Sequence, residues 1–256
     1  IAEPPKTWEE LEEACKKLKA IGVAGIAMRG AKGMGGNLWH FPMLLYSYGG
    51  SFYKDFPNDM HPTIDTPEFI ETAKFYSNLL NNYGIKGAVT CNYEDIILAV
   101  QQGDVGIWID GAPLVAQYED PEKSKSSGKI GYSVIPAGPK GVTAAQTNHF
   151  LVMNVNSKEK ELAWVFIQWS NSKDVLLKLS TEKTHVAVTR KSVLSDPAYI
   201  ERNNYGNGDW AKCFSESLAK AKANYYPLTK EWPEVTDIVS TALSEVFVGK
   251  KTAEDA

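Results

Sequence analysis

The chain has 256 residues, 43% of them hydrophobic and 23% charged, and a net charge of -4. That length can bury a sizeable core as one large domain or two smaller ones. The charge balance is near neutral and no Lys/Arg cluster exceeds a few residues, which leaves no electrostatic footprint for nucleic acid or a membrane surface. No apolar run approaches the roughly 20 residues of a spanning helix, and no cationic-then-apolar signal opens the chain. The chain begins Ile1-Ala2-Glu3, without an initiating Met, which predicts that it was processed or cut from something longer. Cys15, Cys91 and Cys213 are far apart and form no CxxC pair. This spacing argues against a structural zinc site and a dense disulfide framework, so buried free thiols are expected, with one disulfide left open.

Thr7 and Glu10 have capping-box spacing, and Trp8, Leu11, Ala14, Cys15 and Leu18 fall on one face of the helix that follows, as far as Gly22. A strand is predicted over 23–28. The glycine-rich stretch 29–37, RGAKGMGGN, lacks the Lys-Ser/Thr ending of a P-loop and the spacing of a dinucleotide fingerprint. It reads as a flexible rim that lets a ligand approach backbone closely. An aromatic helix from Leu38 to Tyr48 follows, with Trp39 nearest the glycine loop and the crevice. A hairpin-like piece occupies 51–54. Thr66-Pro67 then opens a helix striped with Phe69, Ile70, Ala73, Tyr76, Leu80 and Tyr83.

Asn92 caps a helix over 93–102, and Gly103 ends it before a strand over 105–109. The apolar residues of that strand are nearly continuous, as suits a strand covered on both faces. Asp110 and Gly111 stand where this strand gives out, the place where open α/β sheets bind ligands. A short helix to Tyr118, a solvated loop over 119–129 and a strand over 130–135 come next. Residues 136–141 form a turn, and a further strand covers 150–155 behind the polar trio Thr147, Asn148 and His149. Ser157 is placed to cap an amphipathic helix carrying Leu162, Val165, Phe166 and Trp169. Helices over 172–180, 210–223 and from Pro233 to Gly249 complete the pattern, with an extended piece over 184–189 and a break at Asp196-Pro197. No internal repeat is visible.

No nucleophile stands out: the G-x-S-x-G elbow is missing, and His40, His61, His149 and His185 lack zinc-ligand spacing. No catalytic residue, metal or cofactor is therefore assigned. Asp104 and Asp110 could be taken for a glycosidase acid pair, but Asp104 follows a helix-ending glycine and reads as a turn residue. Seven tryptophans and twelve tyrosines, set beside amides and carboxylates, suit a ligand with C–H faces and hydroxyl edges, a sugar or polyol.

In order along the chain, PPKTWEELEEACKKLKA, the aromatic FP helix ending in GG, GDVGIWIDGAP, EDPEKSKSSGKIGYSVIPAGP, NHFLVMNVNSKEKELAWVFIQW and RKSVLSDP resemble the sugar-binding extracellular solute-binding proteins of ABC importers, the family that includes the maltose-binding protein. WIDG and EDPEKSK look closest to members serving polyols and small sugars. The resemblance covers essentially the whole chain.

It implies an α/β, periplasmic-binding-protein-like (type II) fold of two lobes that close on ligand like a hinge. Because PPKTWEEL begins the second lobe in that family, most of the first lobe is expected to be missing. Residues 1–145 and 197–256 would belong to the second lobe, and 146–196 would be the returning segment of the first. It further implies a periplasmic or extracellular protein, compatible with a lipoprotein anchor. Its partners would be ABC permease subunits and a sugar or polyol, with no nucleic acid and no membrane insertion in this segment.

By resemblance, the ligand-binding positions are Asn37, Trp39, Tyr93, Asp110, Gly111, Asn148, His149 and Trp232. Pro113 replaces the stacking Trp of many relatives, which favours a small ligand over an oligosaccharide. A carbohydrate-active enzyme on the same scaffold and a ligand-sensing partner of a membrane receptor remain the alternatives.

Overall fold

The computed structural model describes residues 3–182 and 185–256. Thr7 accepts a hydrogen bond from the Glu10 N–H and opens α1 (Trp8–Ala20), whose inner face buries Trp8, Leu11, Ala14 and Cys15. The second half of the predicted box differs, because the Glu10 carboxylate takes the N–H of Lys6. Beneath α1 lies β1 (Ala24–Ala27). It pairs in parallel with β4 (Val105–Trp108) in the register Ala24–Val105, Ile26–Ile107 and Ala27–Trp108. A Cβ on Gly25 would stand 2.7 Å from Cys15 Cβ, and one on Gly106 would stand 2.5 Å from Leu18, so the two glycines let α1 approach the strands closely.

Between the parallel strands the chain makes α2 (Asn37–Tyr48), the antiparallel hairpin β2 (Tyr53–Asp55) and β3 (Asp59–Pro62), α3 (Pro67–Asn78) and α4 (Tyr93–Gln102). The Asn92 side chain caps α4 by accepting from the N–H groups of Glu94 and Asp95, and Asp95 returns the bond to the Asn92 N–H.

Pro42 sits inside α2 and cannot donate to the Leu38 carbonyl. That carbonyl accepts from the Tyr226 hydroxyl instead, at 3.2 Å. One position on, the Tyr225 hydroxyl is inserted into the ladder: it accepts from the Met43 N–H at 3.1 Å and donates to the Trp39 carbonyl at 2.9 Å. The connector before the last helix is thus locked to the aromatic helix. α11 (Trp232–Phe247) closes the main core, where its Trp232, Val239, Leu243 and Phe247 meet Phe41, Phe69 and Tyr76.

The second half of the chain is built differently. After a short helical turn at Ala112–Leu114 and α5 (Val115–Tyr118), neither the expected strand over 130–135 nor the one over 150–155 forms. A strand needs a neighbour to satisfy its N–H and C=O groups. Among the described residues none runs beside 150–155, whose Phe150, Val152 and Val155 are all more than 75% exposed.

α6 (Lys160–Ser170) follows, starting three residues later than its expected Ser157 cap; the Ser157 hydroxyl accepts from the Glu159 N–H instead. α7 (Lys173–Glu182), α8 (Lys191–Leu194) and α9 (Pro197–Arg202) form a small separate cluster around Leu176, Val188, Val193 and Tyr199. Asp196-Pro197 is a helix start rather than a break, because the Asp196 carboxylate accepts from the Ala198 N–H. Part of the expected extended piece over 184–189 lies outside the described residues. α10 (Asp209–Ala219) then leads back to the Tyr225 connector. All three cysteines are free, Cys15 and Cys91 buried and Cys213 half-buried.

Candidate functional site

Because β1 and β4 are parallel, their carboxyl ends open on the same edge. There Met28-Arg29-Gly30 leaves β1 and Ile109-Asp110-Gly111 leaves β4. His40, fully buried on α2, staples the two ends. Its Nδ1 accepts from the Arg29 N–H at 3.2 Å, so the proton resides on Nε2, which donates to the Ile109 carbonyl at 2.7 Å. Burial pushes the imidazole down to a pKa of about 4, since a charge would have to sit there without water. Tyr76 donates its hydroxyl to the Arg29 carbonyl at 2.5 Å, so both backbone groups of Arg29 are held.

The Arg29 guanidinium organises the rest. Its Nε donates to Asp110 Oδ2 at 3.0 Å and its Nη2 to Asp110 Oδ1, a bidentate pair with side-chain exposures of 8% and 0%. Its Nη1 donates to the Gly35 carbonyl at 2.9 Å. Trp39, from the first turn of α2, lies with its ring 4.5 Å from the guanidinium carbon. Tyr93, at the start of α4, lies 5.2 Å from it. Four of the sequence-predicted positions, Trp39, Tyr93, Asp110 and Gly111, therefore meet at one place, joined by a residue that sequence reasoning passed over. The buried Asp110 was its signal, since an ionised carboxylate with no solvent needs a cationic partner.

The other four positions fall elsewhere. The Asn37 side chain is fully buried, donating to the Ser240 carbonyl and Ser244 Oγ and accepting from Ser240 Oγ; it ties α2 to α11 and lies out of a ligand's reach here. Trp232 is 3% exposed and packs edge-on against Phe52 with ring centroids 5.1 Å apart, so it is a core residue rather than a cleft aromatic. Asn148 and His149 are exposed in the segment that lacks a strand partner. The glycine stretch is no loose rim: Gly30 and Ala31 donate to the Cys91 carbonyl, Asn37 to the Ala31 carbonyl, and Gly33 to Ser240 Oγ at 2.6 Å. Much of the aromatic surplus is likewise packing, as with Tyr76, Tyr225 and Tyr226.

Beside β4 a cavity of about 510 Å³ opens between Trp108, Asp110, Gly111, Tyr118, Ile135 and Trp210. It meets the guanidinium cluster at Asp110 and Gly111. The buried Tyr118 hydroxyl and Trp210 Nε1 have no hydrogen-bond partner among the described residues. No group of three or more His, Cys, Asp or Glu side chains gathers as metal ligands among the described residues. Asp104 is exposed beyond the far end of β4, so it forms no acid pair with the carboxylate at the opposite end.

Residues 1–176 match the family model described as bacterial extracellular solute-binding protein. A binding protein of Brucella abortus is 28% identical over 254 residues, 98% of this chain and 58% of the relative. The erythritol/L-threitol-binding protein of Mycolicibacterium smegmatis is 24% identical over 234 residues, 90% of this chain and 48% of that one. Among solved structures, the ABC transporter solute-binding protein of Agrobacterium radiobacter in complex with ribitol superposes with a TM-score of 0.83 at 23% identity, covering 98% of this chain and 62% of that one. The fold is thus the expected α/β, type II periplasmic-binding-protein architecture, and the chain spans only about half to three fifths of the length of these relatives.

Proposed function

The chain belongs to the bacterial extracellular solute-binding protein family, and on that premise we propose that it binds a sugar or polyol for an ABC importer and releases it chemically unchanged. The observation that carries this proposal is the convergence of Arg29, Trp39, Tyr93 and Asp110 at the carboxyl edge of a parallel strand pair. That edge is where open α/β sheets hold small ligands. Rings beside fixed polar groups match the C–H faces and hydroxyls of a polyol, and the relatives named for ribitol and for erythritol/L-threitol bear on the same chemistry.

In this proposal residues 1–145 and 197–256 form one lobe and 146–196 belongs to the other, from which Asn148 and His149 would reach the ligand. The partners are ABC permease subunits, and the protein works outside the cytoplasmic membrane. Among the described residues no helix is long and apolar enough to cross a membrane.

The test is a thermal-shift and calorimetric screen of the intact gene product against ribitol, erythritol, D-mannitol and maltose. A ligand that binds only the folded state stabilises it by about 2.7 kcal/mol at a hundredfold excess over Kd, and the melting point rises accordingly. No shift and no heat with any of the four would refute the proposal. Product formed from a bound sugar would favour an enzyme instead.

A further inference from the structure

Building on the proposed polyol-binding role, we propose that Arg29 is the residue of this edge that touches the ligand, through two N–H donors offered to neighbouring hydroxyl oxygens, and that Asp110 acts through Arg29 as a positioning residue. The Asp110 side chain is wholly buried. One of its oxygens takes Arg29 Nε, and the other takes both Arg29 Nη2 and the Gly111 N–H, the latter at 2.6 Å. A carboxylate so placed presents no surface to a ligand.

A guanidinium carries five N–H donors. Here two go to Asp110 and one to Gly35, which leaves one on Nη1 and one on Nη2 without a partner among the described residues. The rings of Trp39 and Tyr93 stand 4.5 Å and 5.2 Å from the guanidinium carbon, and the two remaining N–H groups are what the side chain has to offer a guest. The terminal N–H groups of a guanidinium form a planar fork, which suits the spacing of two adjacent hydroxyls. With the charge of Arg29 balanced by Asp110, the fork favours an uncharged polyol over a carboxylate. Its backbone is fixed on both sides by His40 and Tyr76, so the donors are held in place before the ligand arrives.

The experiment compares wild type, Arg29→Met, Asp110→Asn and the double variant in the intact gene product, by calorimetry with ribitol and D-mannitol and by thermal melting. Arg29→Met should lose about tenfold or more in affinity, the scale of a hydrogen bond to a charged group. It should also melt lower, because an unpaired carboxylate is left buried. The double variant removes both charges, so its melting point should recover toward wild type while its affinity stays at the level of Arg29→Met.

Three outcomes overturn the inference while leaving the proposed function standing. They are wild-type affinity in Arg29→Met, affinity that returns with stability in the double variant, and a double variant markedly weaker than Arg29→Met, which would put Asp110 on the ligand. If wild type binds none of ribitol, erythritol, D-mannitol and maltose, the proposed function fails first and takes the inference with it; if it binds one of the others, the same variants are compared with that ligand.

Discussion

Two helices with the same kind of sequence have opposite fates in this protein. α1 and α6 are both short and amphipathic, and each carries a row of large apolar residues on one side. α1 lies on the parallel strands and buries Trp8, Leu11, Ala14 and Cys15. α6 buries nothing: Leu162, Trp164, Val165, Phe166 and Trp169 are all more than half exposed. An apolar stripe records that a helix needs a covering surface, and the rest of the molecule decides whether one is present. Around α1 the strands β1 and β4 supply it, whereas the apolar segment before α6 has no sheet to join among the described residues.

The largest test of this contrast is a pair of tryptophan truncations followed by chemical denaturation of the 256-residue chain. Trp8→Ala removes a fully buried ring whose Nε1 donates to Ser47 Oγ at 2.8 Å, and should cost about 3–5 kcal/mol. Trp169→Ala on α6 should change stability by no more than about 0.5 kcal/mol. A cost at Trp169 close to that at Trp8 would mean that α6 is covered after all.

Acid should expose the same asymmetry. His40 titrates near 4 when folded and near 6.5 when unfolded, so the unfolded state binds the extra proton between those values and stability falls as pH drops through that window. The loss should approach about 3 kcal/mol by pH 4, at about 1.36 kcal/mol for each tenfold rise in proton concentration. A His40→Gln variant should lose that slope, whatever its absolute stability; an unchanged slope would place the titrating group elsewhere.

A smaller effect is expected from Tyr225→Phe, which leaves the Met43 N–H and Trp39 carbonyl without their bridging hydroxyl. The variant should lose about 1–3 kcal/mol in denaturation. It should also weaken polyol binding, because Trp39 is held from behind by that bond. Smallest is a pair of cap removals. Asn92→Ala and Asp196→Ala each delete a side chain that accepts from helix N–H groups, one in each region, and each should cost about 1 kcal/mol. Equal costs would show that local terms are alike in both regions and that only the tertiary ones differ; a much larger loss at Asp196 would give its ion pair with Lys173 more weight than a half-exposed contact carries.

Much of the local structure was legible because it rests on neighbours in sequence. Thr7 and Asn92 announce helix starts through their own side chains, and the apolar stripes of α1 and α4 mark the faces those helices turn inward, whereas Asp196-Pro197, read as a break, caps a helix. Asp110 and Gly111 were found at a strand end for the same reason, since an apolar run that stops at a polar step marks the edge of a sheet; the expected cover on both faces did not follow, because Gly106 is exposed and Ile107 and Trp108 are half-buried. The strands over 130–135 and 150–155 were misread because a strand is defined by its partner. Their apolar residues state a preference for extended chain, and no ladder took it up.

Asn37 and Trp232 were misplaced for a related reason. An amide next to a glycine loop and an aromatic at a helix start look the same whether they face a ligand or the core. Ser240 and Phe52, which decide the matter, lie near the opposite end of the chain from the residues they bury.

By itself the sequence determined where helices such as α1 and α4 begin, which faces are apolar, and that polar residues stand at the end of an apolar strand, since these depend on bonds and periodicities spanning a few residues. Only the tertiary structure decided that Arg29 neutralises Asp110 between Trp39 and Tyr93, that Tyr225 repairs a helix interrupted by proline, and that α6 lies bare. Each of those outcomes is a contact between segments far apart in the chain, and such contacts exist only once the main core has brought the segments together.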